Sequence, residues 1–489
     1  MSIALVWLAC TFSLVVICKA DFDLLERRIP SLGFVVVLMY SLTYGIGWTL
    51  WRLDPSSLFG YGTKSTLGSL DRLGLMLALG LPTLVCSYTL VRASVGCRPQ
   101  ESFLALLERN RPTLDRLCFG LVTLTVIGLL GMTATGVFLR DPLQQQQALH
   151  ASWVAKLIVG SGLLSRLAPV GLVLVPLAWT GWSRFQRISV VFLLSSWTAL
   201  VLGSSSRGQL LALPLYLFLG SVIWRRLSLK KAALLLVLGS CLFLPVAEVI
   251  RVQREGDSTN PSLRRTFEAF QIGKQLMGTS HEFYLMLQSP ECSVDLGAQL
   301  EKDPKALRLL GVPSSELLDV SSERWNVVRL YETCTQRQLS QRSFSGFERL
   351  PFGLLPNTFV PSAPSLFDGQ ELVLTLSNEL GLRPGEISQG TLSFFADAWW
   401  RWRWVGVVLA SAVLGVLLAL IQSLLLFLMG RQPLAGLLGQ LLVLSLVGTW
   451  INNTTLTMLW FLLWDLPKAW IELLIFTALL GFLSPRRTS

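Results

Sequence analysis

The sequence predicts an all-α polytopic membrane protein with about 11 transmembrane helices and one large hydrophilic loop. The chain has 489 residues, of which 52% are hydrophobic and only 15% are charged, whereas soluble domains carry about 25% charged residues. Apolar runs of about 20 residues, long enough to cross a hydrocarbon layer, recur along the chain. A backbone that crosses lipid must satisfy its own hydrogen bonds, and runs of this length do so as helices.

The predicted spans follow the apolar runs in order. The first run lacks the basic segment of a cleaved signal peptide, so it is predicted to be a retained span. After the polar break at Asn452-Asn453-Thr454-Thr455, residues 456–466 are too short for a full span and are a candidate re-entrant segment. The eleven spans are 2–18, 31–51, 73–91, 117–139, 164–182, 188–202, 209–224, 232–250, 405–429, 434–451 and 469–483.

The charge distribution predicts the orientation of these spans. The net charge is +11, yet the large loop, residues 251–402, holds more acidic than basic residues. The basic excess lies in short loops at 19–30, 92–116, 183–187 and 225–231, which fall on one side when the spans alternate. Cytoplasmic loops carry such an excess, so the C-terminus is predicted to be cytoplasmic and the N-terminus and large loop periplasmic. A nucleic-acid-binding protein would instead gather its basic residues in one patch.

This topology divides the chain into three parts. Residues 1–250 hold the first eight transmembrane helices, residues 251–402 form the periplasmic loop, and residues 403–489 hold the C-terminal transmembrane helices. Cys292 and Cys334 share the loop. In an oxidising compartment they could form a disulfide, and two free thiols are the alternative.

The sharpest polar feature outside the loop is the tight turn Ser206-Arg207-Gly208 between the sixth and seventh spans. An arginine at that depth is costly unless a cavity or an anion compensates its charge. Gly208 allows close backbone approach, and the free amides at the head of the next helix favour an anion. The alternative is an arginine that snorkels to the interface and anchors the turn.

Two further arginines open the large loop. Arg251 and Arg254 lie three residues apart, so they share a face if the eighth span continues as a helix. With Arg207 they would place three guanidinium groups on one side of the membrane, where such groups bind phosphate in a bidentate fashion. The expected ligand is a lipid phosphate or pyrophosphate. The alternative is ordinary interface charge paired with Glu248 or Glu255.

Candidate general bases lie in the loop and at its end. His281 could take a proton at neutral pH, although a lone histidine is more often structural. Glu282, Asp397 and Glu248 are rival bases. With two histidines and no cysteine cluster in the sequence, a metal site is not predicted.

Asp21-Phe22-Asp23 is a separate case. Large membrane glycosyltransferases that use polyprenyl-linked sugars often bind a metal through a paired acidic motif in their first external loop. The predicted topology puts Asp21 and Asp23 in the cytoplasm beside Arg27 and Arg28, so the pair is predicted to be a solvated loop. A reversed orientation would favour the metal motif.

The order of these motifs resembles the O-antigen polymerase family, the oligosaccharide repeat-unit polymerases. The resemblance covers roughly residues 185–430. In the order of the family, a Ser-Arg-Gly turn precedes a large external loop that begins with arginines, and the loop ends in a Pro-rich segment and an acidic residue before the next span. Asn357 stands where relatives often show Arg, and Arg403-Trp404 replaces a more usual Phe-Gly. The segments that carry the resemblance are Ser206-Arg207-Gly208, Arg251, Arg254, Leu355-Pro356-Asn357, Pro361-Ser362-Ala363-Pro364, the run 390–400 with Asp397, and Val405-Gly406-Val407.

The resemblance implies a GT-C-like glycosyltransferase of the bacterial inner membrane that works without a metal or soluble cofactor. The donor would be a glycan on undecaprenyl pyrophosphate and the acceptor a hydroxyl of another lipid-linked repeat unit, which yields surface polysaccharide such as the O-antigen of lipopolysaccharide, a capsule or an exopolysaccharide. Its partners would be these lipid-linked glycans, membrane lipid and a chain-length regulator. The related O-antigen ligases share the same plan, so ligase stays an alternative. A transporter is less favoured, because few ionisable residues lie mid-span and the two halves do not match.

Overall fold

The computed structural model is helical, with no strand in the residues it describes. Four of its helices are long and apolar enough to cross a membrane: Ile3–Ala20, Gly74–Val95, Arg111–Ala134 and Asp397–Arg431. Such helices belong to a membrane-embedded protein, whereas the count of eleven spans and the orientation stay predictions. The described residues are 3–46, 48–49, 67–97, 101–135, 153–154, 158, 163–203, 207–224, 231, 394–450 and 455–482.

The described helices follow the predicted apolar runs in order. Several run on as wider π-helical turns, at Ser41–Ile46, Leu163–Leu167 and Phe461–Asp465. The α-helices are α1 (Ile3–Ala20), α2 (Phe22–Glu26), α3 (Leu32–Tyr40), α4 (Leu67–Val95), α5 (Phe103–Arg109), α6 (Arg111–Ala134), α7 (Ala168–Ala178), α8 (Arg184–Gly203), α9 (Arg207–Ile223), α10 (Phe394–Arg431), α11 (Pro433–Trp450), α12 (Thr455–Trp460) and α13 (Leu466–Phe482).

The chain forms two compact units. The first joins Met1–Arg109 to Asp319–Leu474, and within its described part α4 and α10 make the most extensive helix pair. Small residues let these two helices approach closely, as is usual between membrane helices. A side chain at Gly415 would overlap the Leu84 carbonyl oxygen, and one at Gly80 would overlap the ring of Phe395. The close contact therefore fixes where α10 begins.

Polar side chains tie the same unit together away from solvent. Leu32 donates its backbone N–H to Gln422 Oε1 over 2.9 Å, and Gln440 Nε2 donates to the Pro30 carbonyl oxygen over 2.6 Å. The two glutamines also bond to each other, with Gln422 Nε2 3.4 Å from Gln440 Oε1. Because an unsatisfied polar group in hydrocarbon is costly, these bonds specify how α10 and α11 meet the start of α3.

The second unit holds Asn110–Leu318 and Ile475–Ser489. Its centre is α7, in which every residue is buried, as expected for a helix that is apolar on all sides. A side chain at Gly220 of α9 would overlap the Val173 carbonyl oxygen of α7, and Trp224 Nε1 donates to that same oxygen over 3.2 Å. These contacts hold α9 against α7.

Several helices begin before the predicted spans, among them α4 at Leu67 and α10 at Phe394. The span predicted at 117–139 is a helix that begins at Arg111, because the helix continues past its apolar part. The segment 456–466, a candidate re-entrant piece in the sequence, is helical: α12, the π-helical turn Phe461–Asp465 and α13 follow one another without a break. The predicted eighth span and residues 251–393 of the large loop lie outside the described residues.

Candidate functional site

The start of α10 is a bent helix, located where the large loop is predicted to enter the membrane. Trp402 has φ −138° and ψ 22°, and Arg403 has φ 54° and ψ −141°, so the helix breaks at these two residues. Arg403 lies in a region that favours glycine, which costs about 1–3 kcal/mol for other residues. At Gly406 a side chain would overlap the Ala398 carbonyl oxygen and crowd Trp402. Gly406 therefore allows the bend.

A buried ion pair lies just before the bend. Arg401 Nε is 2.9 Å from Asp397 Oδ2, and both side chains are 0% exposed. The spacing of four residues puts the two groups on one helix face. Asp397 Oδ2 also accepts the backbone N–H of Thr455 over 2.9 Å and the Thr455 hydroxyl. A buried carboxylate needs such partners, and these partners join the start of α10 to the start of α12.

Aromatic rings enclose this part of α10. Phe395 packs against Tyr40, with ring centroids 5.1 Å apart, and against Tyr44 at 6.3 Å. Arg403 places its guanidinium carbon 4.4 Å from the centroid of the Trp399 ring, a cation–π contact. The ion pair itself is fully buried, which strengthens the attraction between its charges.

A cavity of about 370 Å³ lies along α10 just beyond the bend. Its walls include Trp402, Val405, Leu409 and Leu414 of α10 and Thr455 of α12. The lining is almost entirely apolar, and Thr455 is the one residue of it that also binds Asp397. The cavity is therefore suited to a hydrocarbon group, next to a buried polar cluster.

A second buried polar cluster surrounds Asp21. Its Oδ2 accepts Ser31 Oγ over 2.5 Å and Tyr88 Oη over 2.6 Å, and its Oδ1 is 3.2 Å from Arg92 Nε. Arg92 also donates to the Cys97 carbonyl oxygen over 2.6 Å. Asp21 is 0% exposed, so the prediction of a solvated loop is wrong for Asp21. The short helix α2 follows it directly, and the donors to this one carboxylate come from the start of α3 and from α4.

The electrostatics of Asp21 balance burial against these partners. Burial raises the pKa of the Asp21 carboxyl above its usual value, and the hydrogen bonds of Ser31 and Tyr88 and the charge of Arg92 offset only part of that rise. Asp23 differs, because its side chain is 37% exposed and its carboxylate lies 3.9 Å from Arg92 Nη2. The two carboxylates are thus not an equivalent pair of metal ligands.

We expect the change Asp21→Ala to destabilise the protein by about 3–5 kcal/mol, because it leaves three buried donors without their acceptor. Asp23→Ala is the matched control and should cost less than about 1 kcal/mol, as exposed pairs do. Thermal unfolding of the purified full-length protein in detergent measures the difference. Equal midpoints for the two variants would contradict the role given to Asp21.

The structure describes the predicted site residues in part. Arg207 and Gly208 are the first two residues of α9, and α8 ends at Gly203; the residues between them, 204–206, lie outside the described residues. Asp397 lies in the buried ion pair. The other predicted site residues lie outside the described residues: Ser206, Arg251, Arg254, His281, Glu282, Cys292 and Cys334.

Sequence reasoning missed Arg401, Thr455, Tyr88 and Arg92 of these clusters. The spacing of Arg401 four residues after Asp397 was a signal that could have identified the ion pair. Thr455 follows a polar break that the sequence does show, but nothing local links it to Asp397. Tyr88 and Arg92 are 67 and 71 residues from Asp21, and no local pattern reveals such pairings. Within the described ranges, no group of three or more His, Cys, Asp or Glu side chains could hold a metal ion.

No family model, no curated protein and no solved structure matches this chain.

Proposed function

We propose that this chain is a membrane glycosyltransferase that polymerises oligosaccharide repeat units carried on undecaprenyl pyrophosphate. The observation that carries the proposal is the sequence Ser206-Arg207-Gly208 between the apolar helices α8 and α9, followed by a large loop that opens with Arg251 and Arg254. The proposal includes about eleven spans, a periplasmic loop and reaction at the periplasmic face of a bacterial inner membrane.

The reaction would transfer a glycan from one lipid carrier to another. The bond between the anomeric carbon and the pyrophosphate oxygen breaks, and a hydroxyl oxygen of the acceptor repeat unit forms the new glycosidic bond. The hydroxyl proton passes to a base, and the carrier leaves as undecaprenyl pyrophosphate with the bonding electron pair. No metal is required if positive side chains stabilise the leaving group.

Arg207 is suited to that stabilisation by its position. It is the first residue of α9, and the first turn of a helix presents backbone N–H groups that lack intrahelical acceptors. Those amides and the positive end of the helix dipole favour an anion at the same place. An arginine adds a planar, permanently charged donor that matches a phosphate. In this proposal the pyrophosphate of the lipid carrier is the partner of the Arg207 charge.

The base of the proposed reaction is His281, Glu282 or Asp397. Asp397 is completely buried, and Arg401 and Thr455 already donate to it. A general base must reach the proton that it removes, so these contacts favour His281 or Glu282 for that role. Asp397 then supports the point where the loop joins α10.

The proposal is tested by deleting the gene and sizing the surface polysaccharide of the strain on a gel. A polymerase should leave single-repeat products in place of long chains. Full-length chains that are made but not attached would identify the ligase alternative instead. Lipid-linked repeat units retained on the cytoplasmic side would indicate a transporter, and an unchanged polysaccharide would refute the proposal.

A further inference from the structure

The part of α10 beyond the bend is about as long as a bilayer is thick. Arg403 and Arg431 bound residues 404–430, which carry no charged side chain. A helix over that interval rises about 40 Å, at about 1.5 Å per residue, and a bilayer with its head groups is about 40–45 Å thick. Each arginine also stacks on the aromatic ring four residues earlier, at 4.4 Å for Arg403 and 4.6 Å for Arg431. The two guanidinium groups therefore fit the two head-group levels.

The cavity along α10 covers one half of that thickness. Beyond the bend its α10 walls run from Val405 to Leu414, a rise of about 15 Å, and Phe394 and Trp402 also line it. One leaflet contributes about half of a hydrocarbon core of about 30 Å. The walls beyond the bend therefore extend over about one leaflet.

The cavity faces the lipid side of the helix. Its lining residues Val405, Leu409 and Val413 are 64%, 56% and 47% exposed, on the described surface of a helix that can cross the membrane. Water in the cavity would find almost no polar partner, and an empty cavity would forfeit dispersion contacts. A hydrocarbon chain would make dispersion contacts with the apolar walls, and the cavity volume of about 370 Å³ suits a single chain.

A basic residue next to the lining residues in the sequence favours an anionic head group. Arg403 is half-buried and lies between two lining residues, Trp402 and Val405. A guanidinium at the head-group level attracts anionic lipids and binds phosphate oxygens well. Its φ of 54° would suit glycine better, so the backbone itself gives no reason for an arginine at this position.

We propose that the cavity binds one acyl chain of an anionic phospholipid, with the lipid phosphate on Arg403. The depth of the cavity favours this occupant over a polyprenyl carrier, because an acyl chain spans one leaflet whereas a polyprenyl chain is several times longer. The site uses none of the residues proposed to bind pyrophosphate, Arg207, Arg251 and Arg254, and it does not depend on the proposed function.

Native mass spectrometry of the full-length protein tests the site. The protein is mixed with dioleoyl phosphatidylglycerol or with dioleoyl phosphatidylcholine, and the retained lipids are counted. The unaltered protein should retain one phosphatidylglycerol in preference to phosphatidylcholine. Arg403→Gln should reduce that preference about fivefold, as expected for one interfacial arginine. Arg431→Gln is the matched control and should leave the preference unchanged, because Arg431 is 17 residues beyond Leu414, the last α10 residue that lines this cavity.

A second pair of variants tests the chain. Leu409→Trp fills the cavity and should remove the retained lipid whatever its head group, and Val413→Trp serves if the first variant does not fold. Leu420→Trp, on an exposed part of α10 that does not line the cavity, should retain it. Equal losses for Arg403→Gln and Arg431→Gln, or no loss in the filled variant, would overturn the proposal. Displacement of phosphatidylglycerol by equimolar undecaprenyl phosphate would also overturn it, in favour of the carrier lipid.

Discussion

Replacing Arg207 by alanine should abolish long polysaccharide while leaving a normal amount of protein in the membrane. In the proposed reaction negative charge grows on the leaving pyrophosphate, and a preorganised donor such as Arg207 stabilises it more in the transition state than in the ground state. Loss of one donor of this kind costs about 3 kcal/mol, or about 100-fold in rate. The measurement is the chain-length distribution in the deletion strain that carries the variant, with protein abundance measured in the same cells.

Arg184 provides a matched control for this experiment. It is the first residue of α8, as Arg207 is of α9, and it is exposed at the opposite end of the preceding helix. Arg184→Ala should leave the chain lengths unchanged. Arg207→Lys keeps the charge but loses the bidentate geometry, so it should fall between alanine and arginine. Near-normal chain lengths for Arg207→Ala would reject its role, and a loss of protein would instead favour an arginine that anchors the turn.

The apolar runs predicted the helices of this fold well and their ends less well. Hydropathy locates the hydrocarbon-spanning part of a helix, whereas the helix itself continues into the head-group layer. This is why α6 begins at Arg111, six residues before the predicted span. Proline has a further effect: Pro176 and Pro214 lie within α7 and α9, where each removes a backbone donor. Both prolines lie in the second unit, in its short apolar helices α7 and α9.

The environment of a charged residue was harder to predict than its location. Asp21 stands in a loop with Lys19, Arg27 and Arg28, and that neighbourhood indicates solvent. Its burial depends on Tyr88 and Arg92 of α4. This helix is separated from the loop by α3. Such long-range pairs follow from packing, and the local sequence carries no trace of them. The same holds for Thr455 and Asp397, which are 58 residues apart.

The candidate site shows what local patterns can and cannot provide. The acidic residue before the final part of the chain was visible in the sequence, and the spacing from Asp397 to Arg401 is a helical one. The bend at Arg403 was not predictable, because the close approach of Gly406 to the Ala398 carbonyl that accompanies it is a feature of the folded helix. Asp397 lies inside the protein rather than in solvent, and this burial changes the chemistry expected of the carboxylate.

The change Asp397→Asn should destabilise the protein by about 3–5 kcal/mol, because it leaves the buried Arg401 cation without its counter-charge. The asparagine oxygen can still accept the Thr455 N–H, so the loss reports on the charge. Arg401→Met should cost a similar amount, because it leaves the buried Asp397 carboxylate without its counter-charge. The exposed pair Lys468–Glu472 has the same spacing, with Nζ 3.9 Å from Oε1, and Lys468→Met should cost less than about 1 kcal/mol.

The double variant Asp397→Asn/Arg401→Met separates support of the fold from chemistry. It removes both buried charges, and replacing a buried pair with neutral groups is often close to neutral in stability. We therefore expect its unfolding midpoint in detergent to recover most of the loss seen in either single variant. We also expect long polysaccharide to return, because a carboxylate held by Arg401 and Thr455 is not free to take a proton from an acceptor. A stable double variant that makes no polymer would instead identify Asp397 as the base.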